Sequence, residues 1–365
     1  PQKGDPALGN GDRVLVRLSA ITGQDHAYEG RLIRKIGTGP AKILGLFRTS
    51  SEGSRIIPID KKFDQEWYVP DGAENGAKDG ELVEAEQTGP KGRLGLPRAK
   101  IITRLGDPMA PKMVSLYAIH MHGIPDAFPD DVLAEAEAVD AIKLGKREDM
   151  TELPLITIDP ADARDRDDAV FASRDTDPAN AGGFVIWVAI ADVAHYVTPG
   201  SRLDREARLR GNSTYFPDRV VPMLPDNLSG NLCSLHEGVD RACLALRMVV
   251  NDKGRKISHH FTRGLMNSKA ALSYHQLQAA RDGEPDAATA PLIETVIAPL
   301  YEAYEAVAKE RNNRQPLHLD LPERRIELSD QGHVTTVAFR DRFDAHKLIE
   351  EFMILANVCA AETLE

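Results

Sequence analysis

Residues 157–170 read TIDPADARDRDDAV and follow directly on the apolar run LPLI at 153–156. Five aspartates fall within ten positions of this segment: Asp159, Asp162, Asp165, Asp167 and Asp168. Like charges a few ångströms apart repel each other by roughly 1 kcal/mol per pair in water, and by about 4 kcal/mol at an effective dielectric of 20. The segment itself supplies only two positive charges, Arg164 and Arg166. The crowding is therefore costly unless a further cation lies among the carboxylates.

The segment predicts a loop that begins where a buried strand ends. The run LPLITI is typical of a buried strand, so Asp159 is expected at its C-terminal end. Pro160 has no backbone N–H with which to continue a sheet, so a loop is expected after it. In an extended loop Asp165 and Asp167 share one face, and a turn at 167–168 swings Asp168 towards Asp159. Four carboxylates can thus converge from a single loop.

Converging carboxylates are the hard oxygen ligands that Mg²⁺ and Mn²⁺ prefer, and they leave room for phosphate oxygens and water. Two such ions about 4 Å apart suit in-line phosphoryl displacement. A solvated loop whose acids pair with Arg164 and Arg166 is the alternative, since surface ion pairs are common. A calcium loop of the EF-hand type is disfavoured because Pro160, Ala161 and Ala163 break its ligand spacing. Spacing alone leaves both the metal site and the solvated loop open.

Length and charge bound the domain count and the function classes. A chain of 365 residues is too long for one ordinary core, so we expect two or three domains. The net charge of −11 argues against a nucleic-acid partner, because phosphate binding normally leaves a basic footprint. Residues 1–120 nevertheless carry 18 Lys and Arg against 15 Asp and Glu, and the remainder carries 27 against 41. Overall charge therefore neither supports nor excludes a locally positive channel.

Cysteine usage and hydropathy indicate the compartment. Cys233, Cys243 and Cys359 show no C-x-x-C spacing, which fits a reducing compartment and argues against a disulfide framework or a zinc ribbon. The longest apolar stretch, at 184–194, is interrupted by Asp192 and is too short to span a bilayer. No signal peptide precedes the first strand pattern. We therefore expect a cytoplasmic protein with no membrane partner.

Residues 1–115 predict small β-barrels. Their alternating β-branched segments are separated by Gly, Pro and Asp turn signals and lie at 12–20, 27–37, 41–50, 54–60, 66–70, 80–88 and 92–106. Oligonucleotide-binding (OB) and cold-shock barrels use five such strands. Phe47, Trp67 and Tyr68 could stack bases there, but aromatic residues of a small β-domain more often form its core.

From Leu153 onward the pattern changes to mixed α/β. Strands are expected at 153–159, 184–193, 242–251 and 256–266, with a hairpin loop at 174–183 and long helices at 291–312 and from His346 to the chain end. The first of these helices is expected to bury one face, formed by Leu292, Val296, Leu300, Tyr304 and Val307. A shorter helix is predicted within 128–139, where Pro and acids precede a helix-forming run.

The acidic segment resembles the signature of the ribonuclease II/ribonuclease R family of exoribonucleases, in which an aspartate is followed six, eight and nine positions later by three more. The matching residues are Asp159, Asp165, Asp167 and Asp168, whereas Asp162 falls outside the pattern. Further blocks agree in order along the chain: VAIADVAHYV (188–197), RGNSTYFPDRVVPMLP (210–225), LSGNLCSL (228–235), DLPERRI (320–326) and AHKLIEEFMILAN (345–357). The YFP and VVPMLP elements look closer to the ribonuclease R branch. The resemblance is specific over residues 150–365.

The resemblance implies a multi-domain fold, with small OB/cold-shock-like β-barrels followed by an α/β (α+β) RNB-type catalytic domain that is truncated in its C-terminal half. Residues 1–36 would be the remnant of a first cold-shock barrel and linking strands, 37–115 a cold-shock RNA-binding barrel, 116–150 a connecting helical segment and 151–365 the N-terminal half of the catalytic domain. The remainder of the polypeptide, with a C-terminal RNA-binding domain, would then be a required partner.

The activity that the resemblance implies is processive 3′-to-5′ hydrolysis of single-stranded RNA to nucleoside 5′-monophosphates, with Mg²⁺ or Mn²⁺ as cofactor. Asp159 and Asp168 would be the principal metal ligands. Asp165 and Asp167 would complete two ion sites and orient the attacking water. An RNA-binding chain that is inactive without the remaining polypeptide is the alternative.

Two further residues are implied in RNA binding. Tyr215 matches the tyrosine that packs against the terminal nucleotide, a contact that tolerates any base. Leu319 stands where family members often carry phenylalanine before the DLPE block, so the second wall of this base clamp is expected to differ here.

Overall fold

The computed structural model describes residues 12–20, 28–38, 42–59, 65–88, 96–111, 113–140, 142–313, 324–339 and 341–365. Two units are distinguished by their internal packing. Pro1–Ile124 with Gln331–His333 form the barrel unit, and Pro125–Asp330 with Val334–Glu365 form the sheet unit. Each unit has a hydrophobic core of its own. Within the described residues no helix is long and apolar enough to cross a membrane.

The barrel unit is built from short strands, as the sequence predicts. Its described strands are β1 (Asp12–Ala20), β2 (Tyr28–Thr38), β3 (Lys42–Ser50), β4 (Gly53–Pro58), β5 (Trp67–Val69), β6 (Leu82–Thr88) and β7 (Arg98–Gly106), and helix α1 (Met113–His122) follows. β1 and β2 pair as a two-stranded antiparallel sheet. The other five strands close into a barrel in the order β3-β4-β5-β7-β6. The predicted OB/cold-shock-like barrel is therefore confirmed for these strands.

Aromatic and branched side chains fill the barrel. Phe47 and Trp67 are each only 1% exposed and pack with Ile56, Ile101 and their neighbours. Rings this deeply buried have no face left for an RNA base. The core interpretation is therefore confirmed for Phe47 and Trp67, and base stacking by these two residues is excluded.

The sheet unit combines runs of consecutive strands with helices. Its described strands are β8 (Glu148–Met150), β9 (Ile156–Asp159), β10 (Asp168–Arg174), β11 (Phe184–Ala191), β12 (Thr214–Tyr215), β13 (Val220–Val221), β14 (Asp240–Val250), β15 (Lys256–Asn267), β16 (Ala270–Ser273), β17 (Arg324–Leu328) and β18 (Val334–Phe339). Its described helices are α2 (Asp130–Glu137), α3 (Val193–Tyr196), α4 (Arg202–Arg210), α5 (Tyr274–Arg281), α6 (Ala298–Asn313) and α7 (Asp344–Leu364).

Seven of these strands form one mixed sheet in the order β16-β9-β10-β11-β14-β15-β8. The inner pairs are antiparallel, whereas β16 and β8 join the two edges in parallel. Helix α6 contacts β10, α7 contacts β11, and α5 contacts β9 and β16. The α+β class and the four predicted strands are confirmed, while β8, β10 and β16 of this sheet were not predicted.

The two long helices are found close to their predicted positions. The run predicted at 291–312 begins with a 3₁₀ turn at Ala290–Leu292 and a π-helical turn at Ile293–Ile297 before the regular helix α6. Val296, Leu300 and Val307 on its predicted face are buried, and Leu292 and Tyr304 pack against the same core. Helix α7 begins at Asp344, two residues before the predicted start at His346.

Candidate active site

The acidic segment lies between two neighbouring strands of the central sheet. β9 ends at Asp159, the antiparallel strand β10 begins at Asp168, and residues 160–167 form the loop between them. Asp159 and Asp168 therefore lie at the same end of this antiparallel strand pair. On the other side of β9, Ser273 at the end of β16 is in register with Asp159. Strand β10 starts within the acidic segment itself, so its first residue belongs both to the sheet and to the candidate site.

Asp159 and Asp168 are the more deeply buried acids of the cluster. Asp159 is 9% exposed, and its Oδ2 accepts a charged hydrogen bond from Arg166 Nη1 at 2.9 Å. Burial raises the pKa of Asp159 to about 6; Arg166 opposes this shift, and Asp167 and Asp165 add to it. Burial, followed by the charges of Asp159 and Asp167, raises the pKa of Asp168 to about 7. Among the described residues, the buried Oδ2 of Asp168 has no hydrogen-bond partner.

Asp165 and Asp167 lie nearer the surface. The hydroxyl of Tyr215 donates a hydrogen bond to Asp165 Oδ2 at 3.0 Å. Partial desolvation and the charge of Asp165 raise the pKa of Asp167, although Asp167 keeps more solvent contact than the other three matching acids. Asp162 is exposed in the same loop. All four aspartates of the resemblance thus interact electrostatically.

A second segment, residues 228–235, supports the acidic loop. The Arg166 backbone N–H donates to Ser234 Oγ at 3.0 Å, and the Leu235 N–H donates to the Arg166 carbonyl at 2.8 Å. Arg241 is buried and donates to the carbonyl oxygens of Asn231 and Ser234 at 3.1 and 3.0 Å. The sequence alone assigns no role to Ser234, because its contact with Arg166 joins residues far apart in the chain, nor to Arg241, which acts only through this segment.

A buried ion pair lies next to the point where the acidic loop bonds to the end of β11. Arg147 Nη2 and Asp192 Oδ2 are 2.6 Å apart, and both side chains are less than a tenth exposed. Arg147 also donates to the carbonyl oxygens of Cys243 and Gly264. The residue before Asp192, Ala191, donates its backbone N–H to the carbonyl oxygen of Asp167 at 2.9 Å. The pair therefore fixes the strand end to which the loop is attached.

The donor chemistry of the loop fits a divalent cation, although the carboxylates are not gathered into a complete ligand set. Burial and neighbouring acids raise the pKa of both Asp159 and Asp168, and one oxygen of Asp168 has no hydrogen-bond donor among the described residues. A hard cation satisfies both conditions. Within the described part of the chain, however, no three His, Cys, Asp or Glu side chains are spaced so that they could hold a metal ion. Arg166 already occupies one oxygen of Asp159.

Tyr215 and Leu319 are the two residues expected to contact RNA. Tyr215 is 64% exposed, and its hydroxyl bonds to the acid cluster, so it is a surface residue of the site rather than part of the core. Leu319 lies outside the described residues.

Comparison with known families accounts for both units. Residues 147–365 match the RNB domain family. The chain belongs to the RNB family. Residues 56–129 match the cold shock domain family, in agreement with the closed barrel. The RNB match contains the whole acidic loop, its supporting segment and the Arg147–Asp192 pair.

Individual relatives support the same assignment. The chain is 37% identical to ribonuclease R of Vibrio parahaemolyticus over 363 residues, which are 98% of this chain and 43% of the relative. It is 39% identical to ribonuclease R of Acidithiobacillus ferrooxidans over 84% of this chain and 70% of the relative. The resemblance to the ribonuclease R branch is thus confirmed. The chain spans less than half the length of the Vibrio relative.

A solved structure shares the fold of this RNB chain. Mycoplasma genitalium RNase R, in complex with ribose-methylated single-stranded RNA, superposes with a TM-score of 0.77 at 22% sequence identity. The match covers 94% of this chain and 55% of the Mycoplasma protein.

Proposed function

We propose that this chain carries the metal-binding part of a hydrolytic exoribonuclease that degrades single-stranded RNA processively from its 3′ end and releases nucleoside 5′-monophosphates. The observation that carries the proposal is a set of four interacting aspartates within the RNB match, one of which, Asp168, has a buried oxygen with no hydrogen-bond partner among the described residues. Relatives named ribonuclease R and the RNA complex of the Mycoplasma protein support RNA as the substrate.

Mg²⁺ or Mn²⁺ would be held by the four aspartates of the site, Asp159, Asp165, Asp167 and Asp168. Bound there, a pair of such ions would supply an activated water and stabilise the leaving oxygen. Asp168 presents an oxygen that no donor of the described residues contacts, and Asp159 presents a buried carboxylate. The backbone bonds of Arg166 to Ser234 and Leu235 hold the loop in place while phosphate approaches.

Tyr215 would hold the RNA end against this cluster. Its ring is exposed, and its hydroxyl is tied to Asp165, so a base stacked on the ring lies beside the acids. Stacking tolerates every base, which suits an enzyme that degrades any sequence. Leu319, as the expected second wall, belongs to the same proposal. The cold-shock barrel would guide the strand towards the site.

We place this activity in the cytoplasm, without a membrane partner. The described cysteines Cys233, Cys243 and Cys359 are all free and buried, which supports a reducing compartment.

The experiment that tests the proposal is the substitution Asp167→Asn in an enzyme that contains this chain. We expect release of nucleoside 5′-monophosphates to fall by at least about a thousandfold, because a ligand to the ions is lost, while RNA affinity stays within about threefold. Asp162→Asn is the matched control, since Asp162 is exposed in the same loop. Unchanged turnover in D167N would refute the assignment.

A second candidate is an RNA-binding chain that is inactive by itself. The observation that favours it is that the chain spans only 43% of the Vibrio relative. Labelled single-stranded RNA incubated with the 365-residue chain and Mn²⁺, with and without the remaining polypeptide of such a relative, separates the two. Nucleotide release only in the presence of the added polypeptide favours the second candidate, and release by the chain alone excludes it.

A further inference from the structure

Arg166 occupies an unusual place for a positive charge, at the centre of the acidic loop. Its guanidinium lies 2.9 Å from Asp159 Oδ2 and 3.5 Å from Thr157 Oγ1, and its side chain is only 15% exposed. Its own backbone N–H and carbonyl are both bonded, to Ser234 and Leu235. The residue is thus fixed by its main chain and directed inward, unlike the exposed Arg164 two positions earlier.

The charge of Arg166 offsets only part of the acid cluster. Asp159 accepts a hydrogen bond from the guanidinium, and Asp165 accepts one from the neutral hydroxyl of Tyr215. Within the described part of the chain, Asp168 retains a buried oxygen without a donor, and Arg166 is the one cation bonded to any of the four matching acids. A guanidinium and a divalent ion both bind carboxylate lone pairs, so a divalent ion that uses Asp159 Oδ2 would compete with Arg166 for that oxygen.

We infer that Arg166 is a built-in counter-ion of the metal site, which stabilises the fold without metal and must give up Asp159 when a divalent cation binds. The inference rests on the proposed function, because it requires a cation at the four aspartates. Its consequence is a lower metal affinity than the carboxylates alone would give. In exchange, the strand end at Asp159 keeps a charged partner when the concentration of divalent ions is low.

Arg166→Gln tests this inference through Mn²⁺ binding, measured by isothermal titration calorimetry, and through thermal unfolding in EDTA. We expect R166Q to bind Mn²⁺ about tenfold more tightly, equivalent to about 1.4 kcal/mol, and to unfold at a lower temperature in EDTA. Arg164→Gln removes the same charge from an exposed position of the same loop. It is expected to change the affinity by less than about twofold.

Two other results overturn the inference. If R166Q binds Mn²⁺ as the unsubstituted chain does, or more weakly, Arg166 does not compete with the cation and serves only to orient Asp159. If the unsubstituted chain binds no Mn²⁺, the metal site of the proposed function fails together with the inference.

Arg166→Lys, which keeps the charge but loses the forked donor, provides the same test if R166Q does not fold. Tighter Mn²⁺ binding by R166K supports competition, and equal or weaker binding overturns it.

Discussion

Asp168 is the side chain of the site whose ionised form is most unfavourable. Its Oδ2 is buried, receives no hydrogen bond from the described residues and faces the charges of Asp159 and Asp167. A buried carboxylate in this position favours its protonated form, and its pKa is accordingly raised from 3.8 to about 7. The native state therefore binds a proton that the unfolded chain has already released between these two pH values.

This proton linkage gives a prediction for stability without metal. Because the folded pKa lies above the unfolded one, the free energy of unfolding in EDTA should fall as the pH rises from about 4 to about 7. Asp168→Asn should flatten this dependence and stabilise the protein by about 1 to 2 kcal/mol near pH 8, since the amide carries no charge for Asp159 and Asp167 to repel. Chemical unfolding across this pH range measures both effects.

Asp162→Asn is the control for the same experiment, since its carboxyl is exposed. It should leave the pH dependence as it is. A D168N protein that is less stable than the unsubstituted chain near pH 8 would show that the carboxylate of Asp168 is already compensated in the native state.

At the scale of elements, strands with a clear hydrophobic run in the sequence were predicted. Strands that depend on pairing with a neighbouring strand were missed. β9 and its terminal Asp159 were predicted because a buried run meets a proline. β10 was not predicted, because it begins at Asp168 within the acidic segment, which reads as a loop. Its antiparallel pairing with β11 makes it a strand. β16 has only four residues, and its register with Asp159 is set by a contact distant in sequence.

The same distinction applies to the site. The four aspartates are local in sequence and could be found from spacing and resemblance. Which acid Arg166 would bond could not be found, because Thr157, Ser234 and Leu235 determine where its side chain and backbone lie. Tyr215 was placed at the site by resemblance alone, and its bond to Asp165 is visible only in the fold.

The turn between β14 and β15 gives a prediction at this scale. Gly254 has a φ of 78°, and a Cβ added there would lie 2.0 Å from the carbonyl oxygen of Ala306 in α6. Gly254→Ala should therefore destabilise the sheet unit by at least about 3 kcal/mol, from left-handed strain and from separation of the turn and the helix. Urea unfolding followed by far-UV circular dichroism, which reports chiefly on the helices of the sheet unit, measures this loss.

Gly283→Ala is the matched control for this turn. Gly283 also has a positive φ, of 94°, but an added Cβ would meet nothing within 4 Å. Only the backbone strain of about 1 to 2 kcal/mol should remain there. Equal losses in the two variants would mean that close packing of the turn against α6 contributes nothing to stability.

At the scale of the whole molecule, each of the two units has its own hydrophobic core, whereas the excess negative charge belongs to only one part of the chain. The barrel unit and the sheet unit each have a separate hydrophobic cluster. Residues 1–120 carry 18 Lys and Arg against 15 Asp and Glu, whereas the remaining residues carry 27 against 41. The net charge of −11 therefore arises in the part that contains the acidic loop, and it does not argue against RNA binding by the barrel.

Separate cores predict that metal binding stabilises one unit selectively. A ligand that binds only a folded unit stabilises that unit by about 2.7 kcal/mol at a hundredfold excess over its dissociation constant. In differential scanning calorimetry we therefore expect two transitions, of which Mn²⁺ raises only the one that belongs to the sheet unit, relative to EDTA. Asp168→Asn should abolish the shift without moving the barrel transition. A Mn²⁺ shift of the barrel transition, or a shift that persists in D168N, would place the cation away from the acidic loop.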